Sequence, residues 1–550
     1  MNAKDTLFPS TPGAADHASS IQAAQLADAL QQAGEIAVVD VRELARHVDD
    51  GHLIHSAPLP LSVLEIRAPS LIPRKTTPVV VYDADGGALS ALAARRLRAL
   101  GYADVRVLGG GVDGWRADGR EVYTGLHVLS KAFGEFVEHT YGTPHIPPDE
   151  LKTLLDDGSD VVLLDGRNLE EFYKFSIPGA HACPNAELPY RVHDLVSSDR
   201  TLVVVSCAGR TRSIIGAQAL INTGLPNRVV ALENGAMAWF KAGYPLRNQH
   251  SNPAPAPSDA GRDKSRQAAQ ALRERFAIPS IDSAGLQALR DDSTRSLYVL
   301  DVRTAAEFEA GHLPGSLWAE GGQLVQATDK WIATRHARIV LVDNGDGVRS
   351  AITASWLIQL GWNEVHTYAL PPARDTVQPS AAPSPAAAGT TAASDILPRD
   401  LRARLDADSI ALFDFSPSPT YRAGHIPGAR FALRSRIDAR LEEALAGRDI
   451  AIVAADPVLA ALAAEDIRAQ TGREVFIVKG GTQAWQDAGL PLGGESEADW
   501  HDAPDDVWLS PYFREDRIRA FDTYIEWETG LIDQIRRDPS VSFPPFHLDA

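Results

Sequence analysis

Only two cysteines, Cys183 and Cys207, occur in 550 residues. No disulfide framework can therefore organise the fold, and each thiol needs its own explanation. The chain also has no Lys/Arg-rich run, and its formal net charge is −19. That excludes a general nucleic-acid surface, which needs a basic footprint to displace counterions. No stretch approaches the roughly 18 consecutive apolar residues of a membrane-crossing helix. Met1-Asn2-Ala3-Lys4-Asp5 lacks the apolar core of a secretion signal. A soluble, cytoplasmic protein is expected, with neither membrane nor nucleic acid as a partner.

Cys207 follows the apolar run Leu202-Val203-Val204-Val205-Ser206 and opens the loop Cys207-Ala208-Gly209-Arg210-Thr211-Arg212. A strand ending at Ser206 and a helix starting near Ser213 would let the loop amides wrap the sulfur, as in an anion-binding nest. Such a loop stabilises a thiolate. Arg210 and Arg212 add positive charge, Gly209 permits unusual backbone angles, and Thr211 or Ser213 can cap the helix. A persulfide anion on Cys207, or an oxyanion arriving at it, suits this setting. Because the chain is acidic overall, small anions must be drawn by a local basic pocket.

The surrounding landmarks are Val161-Val162-Leu163-Leu164-Asp165-Gly166-Arg167, Glu171-Phe172, Ile177-Pro178-Gly179-Ala180, the Cys207 loop, and Glu233-Asn234-Gly235 with Trp239. In this order they resemble a rhodanese domain from end to end. The resemblance implies an α/β fold around a mostly parallel sheet. It also implies transfer of sulfane sulfur through a persulfide on Cys207, cradled by Ala208 to Arg212, with Ser213 beside it. The related cysteine phosphatases and arsenate reductases need a Cys-x5-Arg loop, whereas Arg212 stands at Cys-x4-Arg, which favours sulfur over phosphate chemistry. The loop departs from the Cys-Gly-x-Gly-Val-Thr that mercaptopyruvate sulfurtransferases resemble, which speaks against that donor.

The plan recurs along the chain. Apolar-Asp segments stand at Val38-Val39-Asp40-Val41-Arg42, Leu164-Asp165-Gly166-Arg167, Val299-Leu300-Asp301-Val302-Arg303 and Leu412-Phe413-Asp414-Phe415. Gly-His-(Leu/Ile) follows in three units, at Gly51-His52-Leu53, Gly311-His312-Leu313 and Gly424-His425-Ile426. Short Val/Leu/Ile runs alternate with Ala- and Leu-rich segments at Ser90 to Leu100, Ser213 to Asn222, Ser350 to Leu360 and Leu459 to Gln470, a βαβ pattern. The fold class is therefore α/β: four tandem rhodanese-like domains, each a mostly parallel sheet flanked by helices, plus a helical C-terminal tail. A nearly constant spacing from the Asp places Asp83, Asp343 and Ala455 where the second unit has Cys207. None can carry a persulfide, so units one, three and four read as silent copies, with acidic loops in the first and third that would repel an anion. Gly110-Gly111 with Trp115, Asn234-Gly235 with Trp239 and Gly480-Gly481 with Trp485 close three units, the tryptophans serving as core anchors. The third unit lacks this closing motif.

The expected boundaries are 15–122 for unit one, 123–250 for a connecting helix and unit two, 251–277 for a linker, 278–370 for unit three, 371–394 for a second linker, 395–495 for unit four and 496–550 for the tail. Asn252 to Ser258 and Pro371 to Ser394 read as extended and poorly ordered. Ser130 to Glu138 reads as a short amphipathic helix packing the first pair. The tail suits docking onto the fourth unit or a second subunit. Asp165 and Arg167 pair to anchor a strand end, His181 is structural, and Cys183 packs; the alternative for Cys183 is to resolve the persulfide or form a regulatory disulfide. No cofactor or metal is expected. The partners are a small sulfur anion such as thiosulfate as donor and a thiol, or cyanide in the test tube, as acceptor, in a double displacement at Cys207. The competing reading, from another class, is a binding scaffold or a redox or sulfur sensor.

Overall fold

The computed structural model describes residues 19–371, 394–437, 441, 445, 447–497 and 499–544. The expectations for residues 15–18 and for most of Pro371 to Ser394 lie outside these. Four sheets follow one another along the chain, and among the described residues the sheet strands within each unit pair in parallel. In unit two the order is His145–Ile146, Val229–Leu232, Leu202–Ser206, Val161–Asp165, His181–Ala182. The central strands read as unbroken Val/Leu runs because helices cover both faces of the sheet and neither face meets water.

The Asp-x-Arg corner is built alike in three units. Arg167 donates through Nε and Nη2 to the two oxygens of Asp165 at 2.9 and 2.7 Å, and its own N–H reaches Asp165 at 3.1 Å. Both residues are fully buried. Arg42 with Asp40 and Arg303 with Asp301 repeat it. In unit four, where Ser416 replaces the arginine, only its backbone N–H reaches Asp414, at 2.8 Å. The closing tryptophans are core anchors as expected: the indole N–H groups of Trp115, Trp239 and Trp485 donate to the carbonyls of Glu121, Pro245 and Pro491.

Three segments differ from their sequence reading. The 251–277 linker is mostly a 17-residue helix, Asp259–Arg275, opened by the Ser258 side chain on the Gly261 N–H. Asn252 to Ser258 is extended, yet tied down: the Ala182 N–H donates to the Asn252 carbonyl at 2.8 Å, the Ala254 N–H donates to the Ala182 carbonyl at 2.9 Å, and Ala254 is buried. The tail divides in two. Asp499–Trp500 adds a parallel strand to unit four beside Ala429–Phe431. The helix Arg517–Arg537 then leaves unit four and packs Leu531, Ile532 and Ile535 against Ile54 of unit one and Val128 and Ala132 of the bridging helix Val128–Tyr141. Its Phe521 meets Phe240 of unit two.

Candidate active site

Leu202–Ser206 lies between Val229–Leu232 and Val161–Asp165, so Cys207 emerges at the carboxyl end of a central parallel strand, where open α/β sheets place their ligands. The helix Thr211–Asn222 begins three residues beyond Ala208. Asn234 and Gly235 both adopt left-handed angles, φ 52° and 54°. That turn aims the N–H groups of Ala236 and Met237 at the carbonyls of Cys207 and Ala208, at 2.8 and 3.0 Å. A Cβ on Gly235 would sit 2.5 Å from the carbonyl oxygens of Cys207 and Gly209, which is why glycine stands there. The closing motif is thus the floor of the cysteine loop.

Neither Thr211 nor Ser213 caps the helix; Arg210 occupies the N-cap without a side-chain capping bond. Thr211 is already inside the helix and its hydroxyl donates to the buried Glu528 of the tail. The Ser213 hydroxyl donates to the Arg210 carbonyl at 2.7 Å, leaving its oxygen to accept from Cys207 Sγ at 3.7 Å. The two arginines are not open to an anion as their sequence positions suggest. Arg210 turns to the bridging helix, donating to Glu135 at 2.7 and 2.9 Å, to Asn234 Oδ1 at 2.9 Å and to Glu138. The close approach of that helix depends on Gly134, whose Cβ would be 2.7 Å from Thr211 Cγ2. Arg212 forms a two-pronged bond to Glu171, 2.7 Å on each side. Burial opposes charge on Glu171, but Arg212 outweighs it and holds the carboxyl below its ordinary range.

A cavity of about 420 Å³ opens beside the loop. Unit two contributes Ala208, Arg212 and Met237; unit three contributes Trp318, Glu320, Lys330 and Trp331; the bridging helix contributes Lys131; the tail contributes Trp508, Tyr512 and Tyr524. Tyr512 is bonded to the loop itself, its hydroxyl donating to the Ala208 carbonyl at 2.7 Å. Lys131 reaches Glu528 at 3.4 Å and also Tyr524. With Arg212 paired, Lys131 and Lys330 are the other lysine or arginine side chains lining the cavity, and His127 lines it too. Of its residues outside unit two, none was singled out by the repeat, because they lie at positions the repeat does not define.

The rhodanese-like domain model matches residues 22–118, 147–242, 284–369 and 397–488. The chain belongs to the rhodanese family. The crystal structure of a thiosulfate sulfurtransferase from Pseudomonas aeruginosa is 41% identical, with a TM-score of 0.91, covering 96% of this chain and 99% of that one. A sulfurtransferase of Allochromatium vinosum is 33% identical over 101 residues, 92% of its length and 18% of this chain. YrkF of Bacillus subtilis is 26% identical over 113 residues, so the chain spans 60% of that relative's length and the match 20% of this chain. This is a four-domain rhodanese, an enzyme of the sulfurtransferase class. Among its described residues no helix is long and apolar enough to cross a membrane.

The three other rhodanese units show what their cysteine-equivalent position holds. Asp83 accepts the N–H groups of Gly86, Gly87 and Ser90 at 2.6, 3.1 and 2.9 Å. Asp343 accepts those of Asn344 and Ser350 at 2.8 and 3.0 Å, with Arg349 Nε at 3.1 Å. In unit four Asp456, beside Ala455, accepts the Val458 N–H at 2.8 Å. The acidic side chains of units one and three therefore do more than repel an anion: their own carboxylates occupy the amide cradle. Arg349 also grips Glu307 at 2.5 and 2.9 Å, the counterpart of Arg212 on Glu171. A unit without a thiol keeps that clamp, so the clamp belongs to the framework. Cys183 is fully buried in the unit-two core, and burial pushes its thiol well up.

Proposed function

We propose that this rhodanese moves sulfane sulfur from a small anionic donor such as thiosulfate to a thiol acceptor through a persulfide on Cys207. The observation that carries the reading is the contrast between units: where units one and three fill the strand-end cradle with an aspartate carboxylate, unit two presents a thiol. The strand end that carries a carboxylate in units one and three carries the Cys207 sulfur in unit two, with the Ser213 hydroxyl 3.7 Å away. The Cys207 thiolate attacks the outer sulfur of thiosulfate; the S–S bond of the donor breaks with its electron pair leaving on sulfite, and the Cys207–S–S⁻ persulfide remains. The acceptor sulfur then attacks the outer sulfur and frees Cys207.

Ala208, Gly209 and Ser213 act as the persulfide's immediate surroundings. Arg210, Thr211 and Arg212 hold the loop between Glu135, Glu528 and Glu171, and Asp165 with Arg167 anchors the neighbouring strand end. Intact-mass analysis after incubation with thiosulfate tests this. The wild type is expected to gain one sulfur atom, released by cyanide as thiocyanate, and Cys207→Ser none. Oxidation of Cys207 without any sulfur adduct or thiocyanate would transfer the case to a sensor or scaffold.

A further inference from the structure

Glu320 is a carboxylate of unit three that lines the cavity beside the Cys207 loop. It precedes the helix Gly321–Gln326 of unit three, whose two leading glycines press on unit two. A Cβ on Gly321 would be 2.9 Å from Ala186 Cβ, and one on Gly322 2.9 Å from the Asn185 N–H nitrogen. Side-chain-free packing thus seats the start of this helix against unit two and brings the Glu320 carboxyl to the cavity wall shared by Ala208 and Arg212. Glu320 is 8% exposed, and its Oε2 is buried with no hydrogen-bond partner among the described residues. A buried carboxyl oxygen without a partner is costly and rarely kept without a use.

The charged groups acting on it come from both units. Burial raises its proton affinity most, Glu187 and Glu171 add to this, and Arg212 and Arg349 oppose it, leaving the carboxyl pushed up to about 7. Glu170, Lys131, Lys330 and His127 line the same cavity. A group poised near neutrality and facing a reaction cavity suits proton transfer.

Resting on the persulfide reading, we propose that Glu320 relays the proton of the acceptor thiol in the second half-reaction. Its carboxylate takes the S–H proton as the acceptor sulfur attacks the outer sulfur of Cys207–S–S⁻. The Cys207–sulfur bond breaks with its electron pair staying on Sγ, a new S–S bond forms from the acceptor's pair, and Glu320 returns the proton to the transferred sulfur. In balance, Cys207–S–S⁻ and R–SH give Cys207–S⁻ and R–S–SH, with no external oxidant or reductant. Unit three, silent in itself, thereby serves the chemistry of unit two.

The test starts from full-length protein whose persulfide has been verified by mass, discharged into sulfite or reduced glutathione across a pH series. Sulfite arrives with its nucleophilic lone pair exposed; the thiol must lose a proton. For Glu320→Gln the ratio of discharge to glutathione over discharge to sulfite should fall about 10²-fold below wild type at neutral pH. The deficit should close as pH rises past the thiol's own ionisation, and Glu320→Asp should recover part of it. Wild-type discharge to glutathione should rise through about pH 7. An unchanged ratio at every pH, or an equal pH-independent loss with both acceptors, would overturn the relay. Failure of the wild type to take up sulfur would instead overturn the persulfide reading, and the relay with it.

Discussion

Gly235 makes the sharpest residue-scale demand in unit two. Its φ of 54° and the 2.5 Å approach to two loop carbonyls leave no room for a side chain. Gly235→Ala should destabilise unit two by about 1–3 kcal/mol and slow sulfur uptake, because the Cys207 loop must move. Thermal unfolding and the rate of the mass gain with thiosulfate measure the two effects; a variant that loads sulfur as fast as wild type would show that the turn does not set the loop. The glycine, the Asp-x-Arg corner and the candidate thiol Cys207 were readable in the sequence because each stands in a motif only a few residues long. The fate of the arginines was not. Glu135, Glu138 and Glu171 come to them from other elements, and nothing in the run Arg210-Thr211-Arg212 announces carboxylates that only packing delivers.

Between elements, close helix crossings rest on small residues. Gly134 lets the bridging helix lie against the N-terminus of Thr211–Asn222. Gly134→Ala should therefore push the two apart, costing about 1–3 kcal/mol by overpacking. It should also disturb the grip of Glu135 on Arg210, read as a lower unfolding temperature together with slower sulfur loading. Strands and the long apolar helices were evident from their periodicity. The helix Asp259–Arg275 was missed because its buried face consists of Gly261, Ser265, Ala268, Ala269 and Leu272. A stripe of such small residues packs well against its neighbours but barely registers as hydrophobic. The docking of Arg517–Arg537 was equally hidden: its apolar face was visible, its destination on units one and two was not.

At the scale of the whole molecule, buried ion pairs tie the units together. Arg434 of unit four, almost wholly enclosed, grips Glu65 of unit one at 2.5 and 2.8 Å, and Arg96 of unit one reaches Asp466 at 2.8 Å. Removing Arg434 strips the buried Glu65 of its two short bonds and leaves it only Arg96 at 3.5 Å, so Arg434→Ala should cost about 3–5 kcal/mol and loosen unit four, detectable by thermal unfolding and small-angle scattering. Acid should act in the same direction. Burial favours protonation of Glu65, Glu171 and Glu307, but their arginines prevail and hold all three carboxyls low, Glu307 at about 2. Their folded values lie below the unfolded ones, so the stability they lend is complete above about pH 4.5 and is lost as pH falls from there toward 2. Glu320 and Glu135, both pushed up to about 7, have the opposite sign: their contribution is present in acid and fades as pH rises toward neutrality. A melting temperature that stays flat between pH 5 and pH 3, about the window where the first group titrates, would contradict the first assignment.

Thr334–Arg335 of unit three pairs antiparallel with Ile36 and Ala37, lengthening the edge of the first unit's sheet. During synthesis this has a price in time. The first unit emerges with that edge bare, and more than half the chain must be translated before its cover exists; at roughly 5–20 residues per second, the ~210 residues from the end of unit one to Thr334 take on the order of 10–40 s. Throughout that interval the nascent protein carries an open strand edge of the sort that recruits other chains. A truncated message ending after unit one should accordingly yield a sticky product, while one that includes all of unit three, to residue 370, should be less so, so this protein matures as a single entity and not as a string of independent modules.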